Sequence, residues 1–431
     1  MITDNFSDWG TFKDNLKAPV HNWFSYPAGF SHRAVEHFIK ENKFNIGKDT
    51  IYDPFMGVGT TNIVAKAMGI NSMGVEAHPF VFLIAHSKLQ WNIDREAIKF
   101  GLSLIENKIK STKKPKNLEK FLKENFPGLI LKCFSYEVLF DLYLIKYILT
   151  NSLFYSDLLN FFNLALICIL REVSIASMGW PYVLPKKIRL TNLSKNVWEF
   201  YKKRVYKMYD DLIKINKTAY RGKTTHKIYF NDSRNTSSFI TNESIDAIFT
   251  SPPYLNNFDY ADATRIELYF TGFASNWEEI TSKIRDRLII STTSQVTRCD
   301  KYVLSEEFKQ KCGNETKHLQ DIIKELSRVR MTKGGKKNYD IVVSGYFNDI
   351  YKVLADNYRV LKPNSKAVYI IGDSAPYGVH INTDELIGNI GVSVGFKNYK
   401  VEVLRTRGGK WPDNPRRHHI PIRESIVTLE K

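Results

Sequence analysis

Strand-like and helical patterns alternate in the first ninety residues of the chain. Apolar, β-rich runs at residues 50–55 and 72–76 are interleaved with helical periodicity at residues 32–40 and 62–68. Strands separated by helices are typical of a doubly wound, mostly parallel sheet, because each parallel connection needs a crossover. The pattern therefore predicts that an α/β domain begins within residues 1–93.

Helical periodicity alone follows over residues 94–225. Apolar residues recur there at spacings of three and four, which places them on one face of a helix. One such face contains Ile98, Leu102, Ile105 and Ile109, and another contains Val197, Tyr201, Val205, Met208 and Leu212. This segment is predicted to be an all-helical insertion.

The α/β rhythm returns near residue 227. Strand-like runs occur at residues 227–230, 245–250, 367–371, 399–404 and 425–429, and a helix is predicted at residues 346–361. A second, basic stretch at residues 255–340 has no clear sheet pattern and is predicted to be rich in loops. Together these patterns predict one α/β domain, built from residues 1–93 and 226–431 and interrupted twice.

Charge and cysteine content narrow the class of protein. The 431 residues carry a formal net charge of +17, which favours a polyanionic partner such as nucleic acid, although a general bias toward lysine would produce the same excess. The four cysteines form no CxxC pair, so a zinc ribbon or a disulfide framework is not indicated. Cys299, Cys312 and His318 lack metal-ligand spacing, and no metal is expected.

The first residues lack the pattern of a secretory signal, and the longest apolar run, at residues 158–170, contains Asn160 and Asn163. That run is too short to span a bilayer and is predicted to be a buried helix. A cytoplasmic protein without a membrane role is therefore expected.

A glycine-rich loop is predicted between the first strand and its helix, with the sequence Asp53-Pro54-Phe55-Met56-Gly57-Val58-Gly59-Thr60-Thr61. Glycines allow a tight turn there, and the helix start presents free N–H groups to a ligand. The spacing differs from the GxGxxG of dinucleotide-binding proteins. Glu76 ends the next strand, where a carboxylate can accept hydrogen bonds from a ribose diol; taken alone, it would be an ordinary solvated strand end.

A second motif, Thr250-Ser251-Pro252-Pro253-Tyr254, directly follows an apolar strand. Two consecutive prolines remove two backbone donors and stiffen the chain at the carboxyl end of that strand, where open α/β sheets bind ligands. Ser-Pro-Pro is also a common way to end a loop. Its position after a strand and before an aromatic residue favours a functional site.

The pair of motifs resembles the amino-group DNA methyltransferases of bacterial and phage modification systems, particularly those acting on N4 of cytosine. The resemblance covers residues 20–93 and 226–431. It implies a Rossmann-like, S-adenosylmethionine-dependent catalytic domain. The helical insertion falls outside it and is a possible target-recognition region.

The resemblance implies roles for individual residues. The expected catalytic residues are Ser251, Pro252, Pro253 and Tyr254. The expected cofactor-binding residues are Phe30, Ser31, Asp53, Pro54, Phe55, Gly57, Gly59, Thr60, Thr61, Glu76 and Asp232. Glu76 would bind the ribose and Asp232 the adenine, although an Asn-Asp pair is also an ordinary turn.

The chemistry of an exocyclic amine fits this motif. Its lone pair is delocalised into the ring, and acceptors aimed at its hydrogens would favour the attacking geometry. Ser251 Oγ and the Pro252 carbonyl are candidate acceptors, and Tyr254 is a candidate platform for a base flipped out of the duplex or for the sulfonium. Methylation at carbon 5 of cytosine would require a cysteine nucleophile in a Pro-Cys pair, which this chain lacks.

Basic segments are candidates for contact with double-stranded DNA. Residues 405–423 carry six Lys or Arg against one acid, and their position between two strands predicts a projecting arm. The candidates there are Arg405, Arg407, Lys410, Arg416 and Arg417. Asp259 and Tyr260 follow the second motif closely enough to line its pocket, and residues 255–340 are a possible DNA-binding loop.

The sequence is also compatible with other functions. They are methylation of N6 of adenine, methylation of an amino group in RNA, and a DNA-binding subunit that has lost activity. A dehydrogenase is disfavoured by the spacing of the glycine loop. A cognate restriction endonuclease is a possible partner.

Overall fold

One seven-stranded sheet forms the centre of the molecule in the computed structural model, which describes residues 6–26, 28–178, 183–188, 195–407 and 420–431. The strands of this sheet are β1 (Thr50–Asp53), β2 (Asn71–Glu76), β5 (His226–Phe230), β6 (Ile245–Thr250), β7 (Leu361–Gly372), β8 (Asn398–Arg407) and β9 (Ile422–Glu430). A separate hairpin consists of β3 (Ala176–Met178) and β4 (Val183–Ile188).

Helices connect and cover the strands. Before residue 220 they are α1 (His32–Glu41), α2 (Thr60–Met68), α3 (Pro79–Lys88), α4 (Arg95–Ser111), α5 (Leu118–Asn125), α6 (Gly128–Cys133), α7 (Tyr136–Thr150), α8 (Ser156–Val173) and α9 (Val197–Thr218). After it they are α10 (Tyr260–Ala263), α11 (Arg265–Thr271), α12 (Trp277–Lys283), α13 (Glu306–Lys311), α14 (Gly313–Arg330), α15 (Tyr339–Val360) and α16 (Thr383–Val394).

The strand order is β5-β2-β1-β6-β7-β9-β8. Strands β5, β2, β1, β6 and β7 are parallel, whereas β9 runs antiparallel between β7 and β8. The order runs outward in one direction from β1 to β5 and in the other from β6 to β8, so the chain changes direction between β1 and β6. The predicted Rossmann-like class is confirmed.

Each central strand sends alternate side chains into two hydrophobic layers. Ile51, Phe249 and Val368 pack on one face of the sheet with α1 and α2. Their neighbours Tyr52 and Ile248 pack on the other face, in a core that includes α15 and α16. Because successive strand residues point to opposite faces, burial on both sides explains the nearly continuous apolar runs in the sequence.

The segment between β2 and β5 is mostly helical, but the expectation that it is entirely helical is wrong because it contains the β3–β4 hairpin. Register in the hairpin shifts between Ala176 and Ser177. A strand of three residues carries too little periodicity to be recognised in the sequence.

The basic stretch at 255–340 is also more regular than expected, because α10 to α14 lie within it. Its first half shares a hydrophobic core with α7, α8 and α9 through Ile266, Phe270 and Ile280. Its second half packs with the sheet through Phe308 and Leu319. The prediction of a loop-rich insertion is therefore wrong for this stretch, whose two halves support different parts of the molecule.

A buried ion pair ties the helical segment to α11. Arg171 Nε donates to Glu267 Oε1 at 2.5 Å and Nη2 donates to Oε2 at 3.0 Å, while Nη2 also reaches the Ala263 carbonyl at 2.6 Å. The Glu267 side chain is 0% exposed. A fully buried carboxylate is stable in the ionised form only if such partners replace its water.

We predict that Glu267→Gln lowers the free energy of unfolding by about 3 kcal/mol, because Arg171 would lose its counter-charge in a buried site. Urea unfolding followed by circular dichroism measures the change. Glu279→Gln, which breaks the exposed Glu279–Lys283 pair, is the matched control and should cost less than about 1 kcal/mol. Equal losses in the two variants would contradict the assigned role of the buried pair.

Candidate functional site

The candidate site lies where β1 and β6 end side by side. These neighbouring parallel strands lie at the point where the strand order reverses. Ligand crevices in open α/β sheets form at such a switch point, outside the carboxyl ends of the strands. The glycine-rich loop follows β1 and the Ser-Pro-Pro-Tyr motif follows β6, so both predicted motifs reach this edge.

The glycine-rich loop takes the backbone through conformations that favour glycine. Gly57 has φ +54° and Gly59, the residue before α2, has φ +86°. The Gly57 N–H donates to Glu76 Oε2 at 2.9 Å, and the His78 N–H donates to Oε1 at 2.8 Å. Glu76 thus fixes the loop after β1 against the end of β2.

Two hydrogen bonds join the glycine loop to the end of β6. The Thr250 hydroxyl donates to Asp53 Oδ1 at 2.6 Å, and the Thr61 hydroxyl donates to the Phe249 carbonyl at 3.1 Å. Both contacts link residues nearly two hundred positions apart in the sequence. The two motifs are therefore held at a fixed distance from each other.

A single cleft contains parts of both motifs. The residues on its walls include Tyr26, Phe30, Pro54, Phe55, Gly57, Thr60, Glu76, Asp232, Ser251, Pro253 and Tyr260. The glycine loop and the double proline thus face one another across the same space.

Burial perturbs the two carboxylates of this site. Loss of water raises the pKa of Glu76 to about 7, against the lowering effect of the His78 and Gly57 N–H groups. Loss of water likewise raises the pKa of Asp53 to about 6, against the lowering effect of Thr250. Asp53 Oδ2 is buried without a hydrogen-bond partner among the described residues. Asp53 does not line the cleft, so this oxygen lies in the interior behind the glycine loop.

The four residues of the second motif are divided between the cleft and the interior. Ser251 and Pro253 line the cleft, whereas Pro252 and Tyr254 are buried. The Tyr254 hydroxyl donates to Glu424 Oε1 at 3.1 Å, and the Arg407 guanidinium lies 5.3 Å from the ring centroid. In this structure the Tyr254 ring does not form a wall of the cleft, contrary to the expectation of an open stacking platform.

Three predicted residues make contacts inside the protein. Ser31 is fully buried, caps α1 and donates to Asp14 at 2.6 Å, so it does not line the cleft. Asp232 lines the cleft, but both of its carboxylate oxygens accept hydrogen bonds from Arg234. Asp259 is paired with Arg285 at 2.6 Å and caps α10, while its neighbour Tyr260 does line the cleft.

The predicted basic arm is only partly described. Arg405 donates from Nε to Glu424 Oε2 at 2.5 Å, and Arg407 donates to the Asp373 carbonyl at 2.7 Å. Both side chains turn inward, so the expectation of a projecting arm does not hold at this end of the segment. Lys410, Arg416 and Arg417 lie outside the described residues.

Several cleft residues were not identified from the sequence. Tyr26 and His78 are both buried, and Arg287 comes from the loop after α12. Burial lowers the pKa of His78 to about 4, which keeps its ring neutral beside Thr264. His78 follows Glu76 closely and could have been noticed by that position, but no sequence signal links Tyr26 or Arg287 to this site.

Among the described residues, no group of three or more His, Cys, Asp or Glu side chains is arranged to hold a metal ion. No helix in the described ranges has the length and apolar character needed to cross a bilayer.

Comparison with known proteins shows which methyltransferases the chain is similar to. The DNA methylase family, of the N6/N4 type, matches residues 6–87, which include the glycine loop and Glu76. The type II methyltransferase M.BsoBI of Geobacillus stearothermophilus is 25% identical over 98% of this chain and 87% of its own length. M.MvaI of Kocuria varians is 25% identical over 96% of this chain and 88% of its own. M.MjaII of Methanocaldococcus jannaschii is 43% identical over 24% of this chain and 19% of its own.

The fold, the paired motifs and these matches make the chain similar to DNA methyltransferases of the amino-group class. The similarity to type II methyltransferases extends over nearly its whole length. The resemblance to the DNA amino-methyltransferases of restriction–modification systems is confirmed.

The raised pKa of Glu76 predicts a pH-dependent stability. A carboxyl whose pKa is raised on folding favours the folded state at low pH, and this contribution is lost as pH rises from about 4.5 to about 7. We predict that Glu76→Gln makes the melting temperature fall less steeply between pH 5 and pH 7.5 than in the wild type. Calorimetry of the ligand-free protein measures the two slopes.

Glu279→Gln is again the control. Lys283 lowers the pKa of Glu279, which is therefore ionised throughout this range and leaves the slope unchanged. Parallel curves for the wild type and Glu76→Gln would contradict the assignment.

Proposed function

We propose that the protein is a site-specific DNA methyltransferase that transfers a methyl group from S-adenosylmethionine to N4 of cytosine. The observation that carries the proposal is that the glycine loop and Ser251 line one cleft at the switch point of the sheet. A donor bound against the loop and a base inserted beside Ser251 would meet there. Such positioning is the main requirement of a direct transfer without a covalent enzyme intermediate.

The residues of the cleft fit S-adenosylmethionine. When bound, this cofactor supplies a methyl group on a positively charged sulfur. Glu76 offers carboxylate oxygens to its ribose diol. Asp232, also on the cleft wall, is the candidate acceptor for the adenine amine and would bind it while still paired with Arg234. Asp53 is fully buried behind the loop, and its hydrogen bond to Thr250 supports the loop against which the methionine part would lie. Phe30, Pro54, Phe55 and Thr60 complete the wall.

The Ser-Pro-Pro segment would activate the base amine. The Ser251 hydroxyl oxygen and the Pro252 carbonyl would each accept a hydrogen bond from one N–H of the amine. These hydrogen bonds would localise the lone pair on the nitrogen. A base reaches this position only after it has rotated out of the duplex. Serine in the first position of the motif favours cytosine N4 over adenine N6, and adenine is the alternative outcome of the test.

The remaining parts of the chain would recognise DNA. We assign the catalytic domain to residues 1–93 and 226–431, target recognition to residues 94–225, and a DNA contact to residues 255–340. Lys410, Arg416 and Arg417 would contact backbone phosphates, since basic side chains supply most of the sequence-independent affinity. Similarity to type II methyltransferases supports a cognate restriction endonuclease as a partner.

Product analysis tests the assignment directly. Plasmid DNA from a methylation-deficient host is incubated with the protein and labelled S-adenosylmethionine, and the DNA is then digested to nucleosides. We expect the label in N4-methyl-2′-deoxycytidine. N6-methyladenine would overturn the choice of base, 5-methylcytosine would overturn the amino-group chemistry, and label in RNA alone would overturn the choice of substrate.

We predict that Ser251→Ala lowers the rate of methyl transfer by about 10- to 100-fold, because one acceptor for the amine hydrogens is lost. Single-turnover incorporation of label measures the rate. Ser237→Ala removes a hydroxyl that contacts only the neighbouring Asn235 and should leave the rate unchanged. A fully active Ser251→Ala protein would refute the role of this hydroxyl.

A further inference from the structure

Glu424 is a buried carboxylate at the rear of the catalytic motif. The residue is 2% exposed and lies near the start of β9, opposite Gly372 of β7 and Arg405 of β8. A Cβ built on Gly10 would lie 2.3 Å from Glu424 Oε2, so the N-terminal segment also closes over the carboxylate. No sequence motif identified Glu424.

A carboxylate in such a place requires compensation for the water it has lost. Glu424 has two partners: Arg405 Nε at 2.5 Å on Oε2 and the Tyr254 hydroxyl at 3.1 Å on Oε1. Arg405 supplies the counter-charge. The Tyr254 contact is directional, because a phenol that donates to a fixed oxygen has its ring position fixed as well.

The packing around Tyr254 depends on the same contacts. A Cβ on Gly372 would lie 2.9 Å from Tyr254 Cε2 and 2.3 Å from Arg407 Nη2, so glycine leaves the room that the ring and the guanidinium occupy. Burial raises the pKa of Tyr254, and Glu424 raises it further, which keeps the phenol protonated and able to donate.

Tyr254 belongs to the same short motif as the cleft residue Ser251. Only Pro252 and Pro253 separate them, and two consecutive prolines stiffen the backbone between the two side chains. A phenol fixed in the interior therefore also restricts where Ser251 lies on the cleft side.

We propose that Glu424 is a positioning residue for methyl transfer: its carboxylate fixes the Tyr254 hydroxyl, and Tyr254, through the stiff double proline, holds Ser251 in place on the cleft side. This inference rests on the proposed function. Glu424 itself touches neither base nor cofactor. Its effect is therefore expected on the rate of the transfer step and not on the binding of either substrate.

A double-mutant cycle tests the inference. Glu424→Gln, Tyr254→Phe and the double variant are compared with the wild type on a duplex carrying the site mapped by methylation sequencing. Each single variant should lower kcat by about tenfold or more, with the KM for DNA and the Kd for S-adenosylmethionine within about twofold of the wild type. The double variant should be no worse than the more impaired single variant, because both changes break the same contact.

Glu430→Gln is the matched control, since Glu430 lies on the same strand and forms only an exposed pair with Lys366; it should leave kcat unchanged. Full kcat in Glu424→Gln, multiplicative losses in the double variant, or a changed KM at normal kcat would overturn the inference. If Glu424→Gln does not fold, Tyr254→Phe decides, because it cuts the same bond and keeps the Arg405 pair. A kcat loss then supports the inference and wild-type kcat overturns it.

Failure of the wild type itself to methylate DNA is a different result. It would refute the proposed function. An active wild type whose variants show multiplicative losses in kcat would refute only the positioning role.

Discussion

The hydrogen bond between Thr250 and Asp53, 2.6 Å long and fully buried, is the contact on which the site depends. It joins the ends of β1 and β6, and the Thr61 hydroxyl makes a second link to the same strand. Because two chain segments nearly two hundred residues apart meet there, the helical segment between them can vary without changing the distance across the cleft. The sheet thus holds the two loops of the cleft in place, and the segments at residues 94–225 and 255–340 form other parts of the protein surface.

Buried carboxylates recur around this edge, and each has a different set of compensating partners. Glu76 accepts backbone N–H groups, Asp53 accepts a hydroxyl and leaves one oxygen unpaired, and Glu424 is paired with a guanidinium. Burial raises the pKa values of Glu76 and Asp53 more than their hydrogen bonds lower them, whereas Arg405 supplies Glu424 with a counter-charge. These partners give neighbouring acids different electrostatic properties within one small region.

The features that could be predicted from the sequence were those with a distinct local sequence pattern. Buried parallel strands read as apolar runs, and the glycine loop and double proline have unusual backbone requirements, so the sheet and both motifs could be predicted. The orientation of Tyr254 could not, because it depends on Glu424 and Arg407 from strands far along the chain. Arg405 and Arg407 lie in a segment rich in basic residues and were therefore expected to be exposed. The density of charge in a sequence does not indicate which basic side chains pair with buried acceptors. The β3–β4 hairpin and the helices of 255–340 similarly depend on packing between distant segments.

The antiparallel strand β9 lies between β7 and β8, although it follows both in sequence. During synthesis from the N-terminus, β8 has no neighbour in the sheet until β9 has left the ribosome and been inserted. The glycine loop and the Ser-Pro-Pro segment are synthesised much earlier. Tyr254, however, has no hydrogen bond to Glu424 until β9 is in place. A chain that ends before β9 would therefore contain both loops of the cleft but lack Glu424, the hydrogen-bond partner of Tyr254.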